Sequence, residues 1–149
     1  MTTPGVQRRI EATPGLVFAV LADGWLYPVW VVGASRMREV DASWPSPDAR
    51  LHHSFGVWPL LIDDETVLLE WEPERRAVLE AKGWPLGTAR VELTVEPDGP
   101  TGCVVTLVED ASRGPGRFLL KPLRQAAILK RNTETLRRLA HLAEGHARP

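Results

Sequence analysis

Residues 119–143, LLKPLRQAAILKRNTETLRRLAHLA, hold the longest stretch of helical periodicity in the chain. From Leu119 the apolar positions Leu123, Ala126, Leu129, Leu136, Leu139, Ala140 and Ala143 recur at spacings of three and four, which sets them on one helical face. Asn132 and Thr133 fill the slot between Leu129 and Leu136. A polar group in such a stripe stands at its edge or against a cavity that needs a hydrogen-bond partner. A helix of about 25 residues spans ~37 Å. Pro122 marks a kink, or a restart after a first segment following Gly114-Pro115-Gly116.

Working back from this helix, residues 34–110 read as strands parted by proline and glycine. Turn signals stand at Trp44-Pro45-Ser46-Pro47, Trp58-Pro59, Pro73, Gly83-Trp84-Pro85-Leu86-Gly87 and Pro97-Asp98-Gly99-Pro100. Between them, Ala89/Val91/Leu93/Val95 alternates with Thr88/Arg90/Glu92/Thr94, the pattern of a half-buried antiparallel strand. Val67/Leu69/Trp71 and Ala77/Leu79/Ala81 alternate likewise. Asp63-Asp64-Glu65 reads as a solvated turn, because consecutive carboxylates on a strand project to opposite sides and cannot converge on one ion.

Ahead of the strands, Val6–Glu11 reads as a short strand. Thr13-Pro14 then supplies an N-cap and a first-turn proline to a short helix with Leu16, Val17, Val20 and Leu21 on its apolar face. Asp23-Gly24 ends it, and a second helical turn over Trp25–Trp30 gathers Trp25, Tyr27 and Trp30. The apolar sheet face needs a cover, and the C-terminal helix is the only element long enough to supply one. The expected fold is α+β: a curved antiparallel sheet of about six to seven strands around one long C-terminal helix, the helix-grip arrangement.

The 149 residues fit a single domain, 1–149, able to bury roughly 70% of its unfolded surface. The lone Cys103, in an apolar strand pattern, has no disulfide partner and suits a reducing cytoplasm. No apolar run reaches the ~18 residues of a membrane span, so integral membrane association is not expected. The net charge of −1 argues against general nucleic-acid binding, yet residues 1–112 carry 17 acids and 9 bases and residues 113–149 carry 2 and 9. These bases read as the solvated back of the helix, with Arg137 and Arg138 facing the negative pole of its dipole.

The opening Ile10-Glu11-Ala12-Thr13-Pro14-Gly15-Leu16-Val17-Phe18, with Tyr27-Pro28-Val29-Trp30 after it, resembles the start of the SRPBCC superfamily, which includes START and birch-pollen-allergen-like domains. Trp44-Pro45, Leu51-His52-His53, Gly56-Val57-Trp58-Pro59, Gly83-Trp84-Pro85-Leu86-Gly87, Glu109-Asp110, Gly114-Pro115 and Arg131-Asn132-Thr133-Glu134-Thr135-Leu136 are similar to its bacterial polyketide cyclase/dehydrase-like branch. The resemblance implies a hydrophobic small-molecule ligand, whether lipid, polyketide-like or aromatic. It equally accommodates an aromatase/cyclase or dehydratase. A filled core with a basic helix docking on an acidic partner is the third alternative, and a homodimer is compatible with any of them.

His53 falls in the alternation Leu51/His53/Phe55/Val57, so it shares the concave face while His52 points away. It either meets a ligand as donor, acid or base, or is satisfied within the core. By parity with Cys103/Val105/Leu107, Glu109 points to the same face, where Arg131 or His53 would pair with it, unless parity breaks at the strand end. His53, Glu109 and Arg131 are therefore the catalytic candidates. Ligand-binding candidates are Tyr27, Trp30, His53, Phe55, Trp58, Trp71, Leu129, Asn132 and Leu136. No nucleophilic triad pattern, phosphate-binding loop or zinc-ligand spacing is present, so neither metal nor cofactor is expected.

Overall fold

The computed structural model describes residues 5–57, 59–83, 87–113 and 121–147. Seven strands, β1 (Val6–Ile10), β2 (Ala34–Val40), β3 (Arg50–Val57), β4 (Leu60–Glu72), β5 (Arg76–Gly83), β6 (Gly87–Asp98) and β7 (Gly102–Arg113), form one antiparallel sheet in the order β1-β7-β6-β5-β4-β3-β2. Strands β2 to β7 run as a meander, and β1 returns to pair with β7. Helices α1 (Pro14–Ala22) and α2 (Tyr27–Trp30) flank a 3-10 turn at Gly24–Leu26, and α3 (Lys121–Ala147) lies across the sheet. This is a helix-grip fold.

Local chemistry explains the short helices. Thr13 Oγ1 accepts from the Leu16 amide at 3.4 Å with Pro14 opening α1, and Asp23 Oδ1 accepts from the Trp25 amide at 3.2 Å, starting the next turn. Val17, Val20 and Leu21 carry α1 into the core.

Helix α3 is anchored through its C-terminal half, where Leu136, Leu139, Ala140 and Ala143 are buried and the helix meets α1 and β1. Glu144 Oε2 accepts from the Glu11 amide at 2.9 Å, tying the helix to the end of β1. The first half departs from the expected stripe. Leu123 is 68% exposed, Ala126 is exposed and Leu129 is only half-buried, whereas Asn132 and Thr135 are buried. Over this half the inward side turns around the helix axis towards Ile128, Arg131 and Thr135, which border the space between helix and curved sheet. A single stripe fitted to the whole helix misses that rotation.

Two strand readings also change. Asp63, Asp64 and Glu65 lie within β4 opposite Ser54, His53 and His52, not in a turn. Ladder pairing and ion partners hold them there: Ser54 Oγ donates to Asp63 at 2.8 Å, while Glu65 meets Arg50 and, at 3.1 Å, Lys82. The Val67/Leu69/Trp71 alternation slips because Leu69 is an extra residue between the pairs Leu68↔Leu79 and Glu70↔Val78. This bulge puts Thr66 and Leu68 on the inner face before it and Trp71 there after it. Trp84-Pro85-Leu86, Trp58 and residues 114–120 lie outside the described residues.

Candidate functional site

A cavity of about 300 Å³ separates the first half of α3 from the inner faces of β3, β5, β6 and β7. It exists because the residues facing each other there are small. Ala81 on β5 stands opposite Ala89 on β6, both border the void, and Ala127 of α3 is across from them. Larger side chains at these positions would take up much of the space. Tyr27, Trp30, Phe55, Leu79, Leu107 and Ile128 make the walls mostly apolar.

His53 borders this cavity at 2% exposure, placed there by the β3 alternation that also turns Leu51 and Phe55 inward. Its Nε2 lies 2.9 Å from Thr66 Oγ1, and Thr66 Oγ1 lies 2.9 Å from the Tyr27 hydroxyl. The Tyr27 ring stacks on the imidazole with centroids 5.3 Å apart, and Trp30 meets Tyr27 edge-on. Among the described residues, His53 Nδ1 is buried without a hydrogen-bond partner.

Burial pushes the His53 pKa down from its usual value, against the carboxylate of Asp64, so the ring is neutral near neutral pH. The Ser54 backbone also favours the protonated ring, the sign of an acceptor, without closing a hydrogen bond to Nδ1. Desolvation pushes the Tyr27 phenol up to about 12; the Thr66 hydrogen bond works against this, and Glu109 and Arg131 act in opposite senses. Tyr27 is therefore a neutral hydrogen-bonding group and not a phenolate.

Glu109 keeps the parity of Cys103, Val105 and Leu107 along β7, is 8% exposed, and pairs with Arg131 of α3. Both line the cavity, as does Lys82. Arg131 and Lys82 keep about a third of their side chains in solvent, 33% and 37%, which marks this end as the mouth. Asn132 is buried along the helix side, and Thr135 Oγ1 accepts from the Val32 amide at 3.3 Å, fastening α3 to the segment after α2.

Seven of the candidates thus meet at one void: Tyr27, Trp30, His53, Phe55, Glu109, Arg131 and Asn132. Three others lie elsewhere. Trp71 packs edge-on to Phe18 with centroids 4.9 Å apart, Leu136 is buried in the core, and Leu129 is off the wall because the inward side of α3 has rotated past it. Trp58 lies outside the described residues. Thr66, Thr135 and Lys82 were not singled out by the sequence; only the bulge-corrected parity of β4 would have found Thr66. Among the described residues, no group of three or more His, Cys, Asp or Glu is placed to hold a metal ion, and no helix is long and apolar enough to cross a membrane.

Residues 1–144 match the family model described as polyketide cyclase/dehydrase and lipid transport. The chain belongs to this family. No curated protein matches the sequence. Among solved structures it is similar to protein NE0264 from Nitrosomonas europaea, at TM-score 0.72 and 17% identity, over 96% of this chain and 94% of that one. It is also similar to Ara h 8.0201, at TM-score 0.71 and 9% identity, over 95% and 97% of the two chains. A third similar structure is the di-domain ARO/CYC StfQ of the steffimycin biosynthetic pathway, at TM-score 0.70 and 13% identity, over 96% of this chain and 51% of that one. At these identities the likenesses show the shared fold.

Proposed function

We propose that the protein binds a hydrophobic small molecule, a lipid, polyketide-like or aromatic compound, in the cavity beneath the first half of α3. The observation that carries this reading is an apolar-walled void of about 300 Å³ bordered by a few polar side chains, among them the buried His53, Glu109 and Asn132. That volume is at the lower end of the ~300–1,000 Å³ usual for small-molecule sites, and a few polar groups in an apolar wall is the usual composition. Family membership supports the same reading. Apolar walls supply the affinity, and His53 and Asn132 orient a polar end.

Titration with lipophilic and polycyclic aromatic compounds tests this, because Trp30 borders the void and its emission reports occupancy. Saturable quenching with a negative heat-capacity change in calorimetry is expected. A broad panel without any saturable ligand would sink the proposal.

A second reading, an aromatase/cyclase or dehydratase, is favoured by the presence of His53, Glu109 and Arg131 on one void. A neutral imidazole can take a proton from a carbon between two carbonyls, and Arg131 can polarise a carbonyl oxygen. His53→Gln should then abolish conversion of a poly-β-ketone while leaving its binding within a few fold. Binding without turnover by the unsubstituted protein would leave only the carrier reading.

A further inference from the structure

Among the described residues, Glu109 supplies the only carboxylate of the cavity wall. Arg131 Nη2 donates to its Oε2 and balances its charge. The other oxygen, Oε1, has no hydrogen-bond partner among the described residues. Yet it is not sealed off, because the one fully covered polar side-chain atom without a partner among those residues is His53 Nδ1. Oε1 therefore keeps access to open space, and for a side chain only 11% exposed that space is the cavity it borders. Two further observations aim the carboxylate inward. Val91, directly opposite Glu109 in the β6–β7 ladder, borders the same cavity. The charge of Glu109 also reaches the phenol of Tyr27, another lining residue, contributed by α2.

A molecule that fills the cavity covers Oε1. Stranding a carboxylate oxygen costs more than stranding a neutral acceptor, whereas a donor brought to it makes a charge-assisted hydrogen bond. Building on the ligand-binding reading, we infer that Glu109 Oε1 is the receptor for a hydroxyl or N–H of the ligand, so that the protein selects apolar molecules carrying a hydrogen-bond donor over those ending in a bare carbonyl or ether. Arg131 engages the carboxylate by its other oxygen and leaves this one to the ligand. A ketone set against Oε1 brings acceptor to acceptor. An ammonium group brings a positive charge that Arg131 has already made superfluous, into a mostly apolar wall. A neutral alcohol or phenol is the class that fits.

Selectivity is read by calorimetric titration with three tricyclic compounds of matched shape: fluorene, 9-fluorenone and 9-fluorenol. Fluorenol should bind about tenfold tighter than fluorenone, the low end for a hydrogen bond to a charged group. Glu109→Gln changes the atom on offer with little change of shape. Arg131 must meet an acceptor, so the amide oxygen turns to it and the NH₂ takes the place of Oε1. Fluorenone then finds a donor, and the gap between the two ligands should close while fluorene binds within a few fold of before. The orientation is read separately, from nuclear Overhauser contacts of the fluorenol H9, which should reach the Val91 methyls beside Glu109. Equal affinities for fluorenol and fluorenone, a gap that survives Glu109→Gln, or H9 contacts to Phe55 in place of Val91 overturn the inference and leave hydrophobic binding standing. If Glu109→Gln does not fold, the ligand order and the H9 contacts in the unsubstituted protein decide the question. No saturable binding by any of the three counts against the ligand-binding reading itself, and the selectivity falls with it.

Discussion

His53 couples the site to stability. Burial holds its folded-state pKa below the ordinary 6.5, so as pH falls the unfolded chain takes up the proton first. Its contribution is fully present above about pH 6.5 and is lost as pH drops from there through the depressed folded value. The lowered carboxylates Asp41, Asp63 and Glu134 act in the same direction, but below their usual 3.8 to 4.5, in a separate window. Denaturation from mildly alkaline to mildly acidic pH should show a steeper loss below pH ~6.5 for the unsubstituted protein than for His53→Gln. Equal slopes would assign the window to another group. On the far side of the same wall, Gly33 has φ +104°, and a Cβ there would sit 2.6 Å from Phe55 Cε2. Gly33→Ala therefore combines backbone strain with a clash against a cavity-lining ring, and chemical denaturation should show a loss of ~1–3 kcal/mol. A loss under ~0.5 kcal/mol, the level of a surface change, would show that Phe55 yields freely.

Helix α3 divides at Asn132 into a part that packs and a part that roofs a void. Leu136→Ala, at a position with 0% exposure, should cost ~2–5 kcal/mol. Leu123→Ala, 68% exposed, should stay within ~0.5 kcal/mol. Equal losses in equilibrium unfolding would refute the division. The sequence announced the helix and its buried second half, because Leu136, Leu139, Ala140 and Ala143 lie on a tightly packed contact where periodicity reports burial directly. It misplaced the first half, because Leu129 was judged by a stripe that assumes one facing side, and sheet curvature is a non-local property. His53, Phe55 and Glu109 were legible because β3 and β7 keep a strict period of two up to the site. Thr66 was not, because one inserted residue, Leu69, reverses parity along β4. Trp71 was correctly read as inward, yet alternation gives a face without a position along it, and Trp71 lies beside Phe18.

At the scale of the whole molecule, a closed sheet-and-helix shell would be more stable with its centre filled, so the persistence of the void is itself a statement about function. Ala81 and Ala89 face it from adjacent strands where the next inner positions, Leu79 and Val91, carry larger side chains. If the void were a packing accident, enlarging either alanine would be a harmless improvement. If it is the ligand site, the same change separates stability from binding. Ala89→Leu adds three carbons to an apolar space large enough to take them without displacing neighbours, and each buried CH₂ contributes roughly 0.8 kcal/mol. Thermal unfolding should therefore occur at an equal or higher temperature than for the unsubstituted protein. Titration with fluorenone, followed by tryptophan emission, should lose most of its affinity, because the added side chain occupies the space where the ring system lies. A stabilised variant that still binds fluorenone with undiminished affinity would place the ligand outside this cavity, and a strongly destabilised one would show that the space between Ala81, Ala89 and α3 is smaller than the geometry gives.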